Sequence, residues 1–313
     1  MPVDDALNPA QRATLAALGA GDRDARSEFD SGIAGELRAR LEAGLTDVVT
    51  RSRDDRVVTV AKHLLNGMHG CQARYLHEQQ QPFEPSVPIV KGTIAHKALE
   101  LAVHWPGVPL PLELVDQAIE RIGSADHWAT DFVATMEPAE RAELRAAAAE
   151  IVNKFVESWP PLVPAMRPAT EAKMWAELCG GRIVLKGQAD LTLGQPIGSG
   201  TRARKVIVDY KTGGRSPEHR SDLRFYALVE TLRLGVPPRL VVTAYLNTAT
   251  LETEVITADV LTATVARVVD GVAAHVALTT GDSEPVRRPS GVCRWCALLE
   301  DCAVGQSFLA DDR

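Results

Sequence analysis

The sequence predicts an α/β fold: a mixed central sheet flanked by helices, with a helical extension at the N-terminus. Three observations carry that expectation. Residues 183–193 and 205–211 alternate and are rich in branched apolar side chains, as half-buried strands are. Residues 239–248 and 251–256 form a second strand pair. Stretches with apolar residues at helical spacing lie around and between these pairs, at 137–159, 217–234 and 258–278.

Taken in order, residues 9–18 and 33–49 read as helices, the second with Ile33, Leu37, Leu41, Leu45 and Val48 on one stripe. Residues 1–57 carry no chemical motif and are expected to form an accessory cap or a partner surface. A helix is expected from Val58 through Leu64 and Leu65 to Gly70, where Cys71 follows. The Gln/Pro-rich stretch 79–88 reads as a loop, after which Gly92 and Thr93 open a helix with Ile94, Ala98, Leu101 and Ala102 on one face and His96 off it. Residues 106–136 contain helical fragments, and the helix at 137–159 has a broad apolar face ended by the prolines of 160–168. A strand begins at Glu171 and turns at Gly180-Gly181. The acidic residues at the end of the 306–313 tail are expected to be disordered.

The chemistry concentrates at 183–213. The first strand there leads to Asp190, three residues after Gly187. In the second, Val206, Val208 and Tyr210 point to one side and Ile207, Asp209 and Lys211 to the other. At about 3.3 Å per residue the Asp209 and Lys211 Cα atoms stand roughly 6.6 Å apart, within reach of one metal-bound water. The Gly/Ser-rich turn 194–200 lets the strands pair as a hairpin and bring Asp190 beside Asp209. Two carboxylates and a lysine suit phosphodiester hydrolysis assisted by a hard cation, Mg²⁺ or Mn²⁺.

The chain has 313 residues, 45% hydrophobic and 24% charged, an ordinary globular balance with enough length for a sizeable core. A formal charge of −7 argues against a protein that coats nucleic acid through its overall charge. From Thr201 to Arg224, however, seven basic residues (Arg202, Arg204, Lys205, Lys211, Arg215, Arg220, Arg224) face three acidic ones (Asp209, Glu218, Asp222), a local basic surplus where a phosphate backbone would need it. With no eighteen-residue apolar run and no secretory signal, no membrane association is expected and the cytoplasm is the default location. Of five cysteines, three form Cys293-x₂-Cys296-x₅-Cys302, a spacing for a metal or cluster site. A fourth ligand would come from Cys71 or Cys179, and four thiolates suit either iron–sulfur or Zn²⁺.

Gly187-Gln188-Ala189-Asp190 followed by Asp209-Tyr210-Lys211-Thr212-Gly213 resembles the PD-(D/E)XK nuclease superfamily, and within it the RecB-like branch, over roughly residues 60–305. The resemblance implies a restriction-endonuclease-like core at 58–305 that hydrolyses DNA as an exonuclease on single-stranded ends. It implies Mg²⁺ or Mn²⁺ held by His96, Asp190 and Asp209, water positioned by Lys211, and support from a glutamate near Glu171. His96 matches the Gly-x-x-x-His segment as Gly92-Thr93-Ile94-Ala95-His96. Tyr226 matches the tyrosine of the Gln-x-x-x-Tyr helix, but Asp222 replaces its glutamine and puts any glutamine-type contact to DNA in doubt. AddB-type helicase-nucleases and CRISPR-adaptation nucleases are similar in the cysteine layout. By that likeness Cys71, Cys293, Cys296 and Cys302 hold a [4Fe–4S] cluster, Cys179 is unligated, and a helicase or recombination protein is a partner in DNA repair or phage defence. Two alternatives stand beside this: a catalytically silent DNA- or partner-binding module on the same fold, and a zinc-stabilised interaction protein.

Overall fold

In a computed structural model that describes residues 6–19, 27–51, 57–124, 128–194 and 201–311, six strands form one mixed sheet. They are β1 (Val58–Val60), β2 (Ala169–Leu178), β3 (Ile183–Leu193), β4 (Val206–Lys211), β5 (Leu240–Tyr245) and β6 (Thr250–Val255). The order is β1-β3-β4-β5-β6, with β2 also pairing with β3. β1 is parallel to β3, β3 antiparallel to β4, β4 parallel to β5, and β5 antiparallel to β6. The hairpin expected of β3 and β4 is present; most of its turn, 195–200, lies outside the described residues. Between β2 and β3 the chain reverses through Cys179, Gly180 and Gly181, all at positive φ (52°, 64°, 86°), where glycine is unstrained.

The helices are α1 (Pro9–Ala17), α2 (Ile33–Arg51), α3 (Lys62–His69), α4 (Gln72–Gln80), α5 (Val87–Ala102), α6 (Pro111–Gly123), α7 (Trp128–Thr135), α8 (Pro138–Ser158), α9 (Pro217–Leu234), α10 (Ala258–Thr280) and α11 (Ala303–Asp311). The chain divides into two compact units of non-contiguous segments: 1–34, 84–174 and 188–261 in the first; 35–83, 175–187 and 262–313 in the second.

In the first unit α5, α6 and α8 bury their apolar stripes against Val206, Val208 and Tyr210 of β4 and Leu240, Val242 and Ala244 of β5. α1 is part of this unit's packing: Asn8 and Gln11 donate to the Glu157 and Val156 carbonyls of α8, and Leu18 joins the core. α9 lies against β4 and β5 and is buried almost all round. Its Glu230, 1% exposed, takes both Lys205 and Arg233, which compensates a charge that burial alone would make costly. In the second unit the buried stripes are Leu37, Leu41, Leu45 and Val48 on α2 and Val265, Val268, Val272 and Val276 on α10. Gly44 meets the Val269 side chain there, and Gly271 meets Leu65 and His69.

Four expectations are corrected. Val58-Thr59-Val60 is a strand, because its branched residues pair with Ile183-Val184-Leu185, and the helix begins only at Lys62. α5 starts at Val87, since Pro88 sits in the first turn, where a missing N–H costs nothing. The C-terminal tail is helical through Asp311, while Asp312 and Arg313 lie outside the described residues. α10 does contain an eighteen-residue window with mean hydropathy 1.4, long and apolar enough to cross a membrane by length and composition; its valine stripe is buried, and Arg267, Asp270 and His275 lie elsewhere along the helix.

Candidate active site

β3 and β4 pair at Leu193–Val206, Thr192–Ile207 and Leu191–Val208. One step further a side chain enters the backbone pattern, and the Tyr210 N–H donates to Asp190 Oδ2 at 2.5 Å. α5 supplies the next partner: His96 Nδ1 donates to Asp190 Oδ1 at 3.0 Å. Each oxygen of that carboxylate is thus held by a different element, which fixes its plane.

On β4, Asp209 is 3% exposed and its Oδ2 lies 2.5 Å from Lys211 Nζ, a charge contact whose angles are not those of a hydrogen bond. Burial pushes the His96 imidazole toward its neutral form, but the Asp190 hydrogen bond and the charges of Asp190, Asp209 and Glu171 outweigh it and leave His96 more basic than usual. One imidazole therefore feels all three carboxylates.

Glu171 reaches the same region from β2. Its φ is +49°, a left-handed value at a non-glycine residue within a strand, and its carboxylate accepts a hydrogen bond from Gln188 Nε2. Burial first, then the charges of Asp190 and Glu100, push its carboxyl above the usual range, against the opposing effects of Gln188 and His96. Gln188 and Glu100 are the participants that sequence reasoning missed. Gln188 stands two residues before Asp190 on one strand, and Glu100 four residues after His96 on one helix, so each shares a side with a residue already singled out. Gly92, known from the sequence as part of the Gly-x-x-x-His segment, has a physical role here. A Cβ there would lie 2.9 Å from Thr212 Oγ1, so a bare backbone lets α5 approach the loop after Lys211 and brings His96, one turn later, to Asp190.

The sequence profile of the PD-(D/E)XK nuclease superfamily matches residues 63–303. The chain belongs to the PD-(D/E)XK nuclease superfamily. Among solved structures it is similar to a candidate exonuclease from Eubacterium rectale, at 14% identity over 81% of this chain and 91% of that one, with a TM-score of 0.45. It is also similar to the protein SSO0001, at 15% identity over 69% of this chain and 97% of that one, with a TM-score of 0.31. No curated protein matches it.

The α/β layout with its mixed sheet fits the restriction-endonuclease-like fold of this superfamily. Of the residues singled out from sequence, His96 and Asp190 form one pair, and Asp209 and Lys211 another. Tyr226 is buried on α9 beside Phe225, ring centroids 6.3 Å apart, and Asp222 is buried on the same helix. The basic surplus at 201–224 is largely cancelled by acids remote in sequence: Arg202 by Glu28, Lys205 by Glu230, Arg215 by Glu252, and Arg220 with Arg224 by Glu254.

Among the described residues, no three His, Cys, Asp or Glu side chains stand close enough together to hold a metal ion as arranged. The donor set at the first unit's site, two aspartates, a glutamate and an imidazole, nonetheless fits a hard divalent cation in its chemistry. In the second unit, the Ser290 and Gly305 N–H groups donate to Cys293 Sγ and Cys302 Sγ at 3.4 Å each. A Cβ at Gly305 would lie 3.4 Å from Cys302 Sγ and 3.6 Å from Cys293 Sγ, so both sulfurs border one space that a larger side chain would fill. Cys71 caps α4, and its neighbour Gln72 exchanges two hydrogen bonds with Val286, 3.0 and 2.9 Å. Arg288 donates to the Met68 and Gly70 carbonyls at 3.1 Å each. The segment before the cysteine tail is thereby tied to the turn that carries Cys71. Cys179 has a different setting, its N–H donating to Glu42 and its thiol pushed up by burial and by the Glu42 charge.

Proposed function

We propose that this chain is a metal-dependent deoxyribonuclease of the RecB-like branch, an exonuclease acting on single-stranded ends, with residues 58–305 as its nuclease domain. The observation that carries this reading is the double pairing where the end of β4 runs beside β3: His96 with Asp190 at 3.0 Å, and Lys211 with buried Asp209 at 2.5 Å, with both aspartates acting on the same imidazole. Asp190, Asp209 and His96 would hold Mg²⁺ or Mn²⁺, and Glu171 would support them. When bound, the cation supplies charge neutralisation for the phosphate and acidifies a water.

The chain's own groups do the rest. The Lys211 ammonium donates hydrogen bonds to the attacking water and to a non-bridging phosphate oxygen. The Asp209 carboxylate holds that ammonium in place. The water oxygen forms the new P–O bond, one bridging P–O bond breaks, and a proton passes to the departing oxygen. The hydroxyl of Tyr226, buried on α9, would orient Lys211 or touch the substrate, the alternative being that Tyr226 only keeps the helix seated on the sheet. Cys71, Cys293, Cys296 and Cys302 would hold a [4Fe–4S] cluster, Zn²⁺ being the rival occupant. A helicase or recombination protein would be the partner, in DNA repair or phage defence.

The test is cleavage of end-labelled single- and double-stranded DNA with Mn²⁺ by wild type and Lys211→Ala. Removing a positioned proton-handling group should lower the rate by about 10²- to 10⁴-fold. Equal cleavage by both proteins overturns the mechanism, and DNA binding without cleavage by wild type favours the silent binding module.

A further inference from the structure

A cavity of about 300 Å³ opens between α9, β5 and β6, bordered by Arg220, Leu223, Val241, Thr243, Glu252 and Glu254. The strand register relates it to the site already described. Asp209 pairs with Thr243 in the parallel β4–β5 ladder, and Thr243 pairs with Glu252 in the antiparallel β5–β6 ladder. Directly paired residues point to the same side, so Asp209, Thr243 and Glu252 form one row, each about 4.8 Å from the next strand's.

Each member of the lining has a distinct character. Thr243 is 3% exposed, and among the described residues its hydroxyl has no hydrogen-bond partner although it borders an open space. Glu252 is held by Arg215 at 3.0 Å and by the Tyr245 hydroxyl at 3.4 Å, which leaves part of its acceptor capacity unused. Glu254 accepts Nε and Nη2 of Arg220 at 3.0 and 2.6 Å and those of Arg224 at 2.8 and 2.5 Å. That anchors the Arg220 guanidinium while 65% of its side chain remains exposed. Leu223 and Val241 are apolar and buried.

We propose that this cavity is a base-binding subsite for single-stranded nucleic acid, selective for a base whose Watson–Crick edge sets an exocyclic amino group beside an unprotonated ring nitrogen, namely cytosine or adenine. Cross-strand partners have Cβ atoms about 4.5–5.5 Å apart, so the Thr243 hydroxyl donates to the ring nitrogen while Glu252 accepts from the amino group. Leu223, Val241 and the Arg220 plane sandwich the ring, as guanidinium planes and apolar groups do for splayed bases. Thymine and uracil reverse the pattern and set a carbonyl against the carboxylate. The subsite deepens the nuclease reading and rests on it for the identity of the strand: a base seated here places the adjoining backbone along the row that leads to Asp209.

The experiment uses the full chain in EDTA and measures fluorescence anisotropy with labelled dC, dA and dT homo-oligonucleotides, alongside their cleavage rates in Mn²⁺. The dC and dA strands are expected to bind about tenfold more tightly than dT, the lower range for one two-point base contact. Thr243→Val should erase that preference and Thr243→Ser, which keeps the hydroxyl, should retain it. Equal affinity for the three strands, binding of none of them, or a preference that survives Thr243→Val overturns the subsite. Cleavage of all three without preference leaves the nuclease reading standing and removes the subsite; base-selective binding with no cleavage of any does the reverse.

Discussion

His96 links the chemistry of the site to pH in two opposed ways. It is more basic than an ordinary histidine because of Asp190 first, then Asp209 and Glu171, working against burial. A histidine whose folded value is raised stabilises the fold fully below its unfolded value near 6.5, and that contribution is lost as pH rises through the folded value. The metal-free protein should therefore lose thermal stability as pH increases above about 6.5. A protonated imidazole cannot ligate, so Mn²⁺ affinity should rise over the same interval. Calorimetric unfolding in EDTA and Mn²⁺ titration across that range check both trends, and His96→Gln should flatten both. Trends of the same sign would mean that another group governs one of them. Tyr210 makes the contrasting case within the same motif. Its backbone N–H serves Asp190, while its hydroxyl is buried without a hydrogen-bond partner among the described residues and its ring packs edge-on against Phe155 and Trp159, centroids 5.5 and 6.0 Å away. Burial pushes the phenol well above its usual range. Tyr210→Phe should leave cleavage unchanged and stability equal or higher, since deleting an unsatisfied buried hydroxyl removes a desolvation cost of about 1–3 kcal/mol. A loss of activity in Tyr210→Phe would assign the hydroxyl a role that its surroundings do not suggest.

At the scale of elements, the approach of α5 to the loop after β4 decides whether the site closes. Gly92→Val would put branched carbon within contact of Thr212, displace α5, and lengthen the His96–Asp190 hydrogen bond. Cleavage should fall by about 10-fold or more, because roughly an ångström of misplacement at a catalytic constellation can cost 10²-fold. Pairing it with Thr212→Ala, which removes the obstructing Oγ1, should restore part of the rate; failure of that rescue at unchanged thermal stability would detach Gly92 from the placement of α5. The glycine was legible in the sequence only as part of a motif, since its reason is a neighbour 120 residues away. The same division runs through the other elements. β3, β4 and α9 are bounded almost as their own patterns predict, because alternation and helical spacing are local. β1 was not legible, as three branched residues read equally well as the start of a helix until Ile183-Val184-Leu185 pairs with them. The basic surplus at 201–224 is real as a count but not as a field, because Glu28, Glu230, Glu252 and Glu254 meet those cations only after folding. Gln188 and Glu100 stood on legible sides, but nothing local says that Glu171 arrives opposite them from β2.

For the molecule as a whole, the proposed cysteine-held cluster would add a tie between distant segments of the second unit. Cys71 and Cys293 are separated by more than two hundred residues, and the contacts that bring their segments together are a few hydrogen bonds from Gln72, Val286 and Arg288. A link that closes so long a loop removes more unfolded-chain entropy than a short one does, and a cluster binding only the folded arrangement adds its binding free energy to stability. Purified without exposure to air, the protein should be brown, with a visible charge-transfer band and about four iron atoms per chain. Cys71→Ser and Cys302→Ser should bleach the band and lower the melting temperature by several degrees, about the consequence of losing 2 kcal/mol or more in a chain of this size. Cys179→Ser should do neither, because burial and the negative charge of Glu42, which accepts from the Cys179 N–H, oppose a thiolate there. Bleaching by Cys179→Ser with retention in Cys71→Ser would exchange the two as fourth ligand. A colourless protein carrying one zinc, destabilised by the same cysteine substitutions, would keep the tie and replace the cluster.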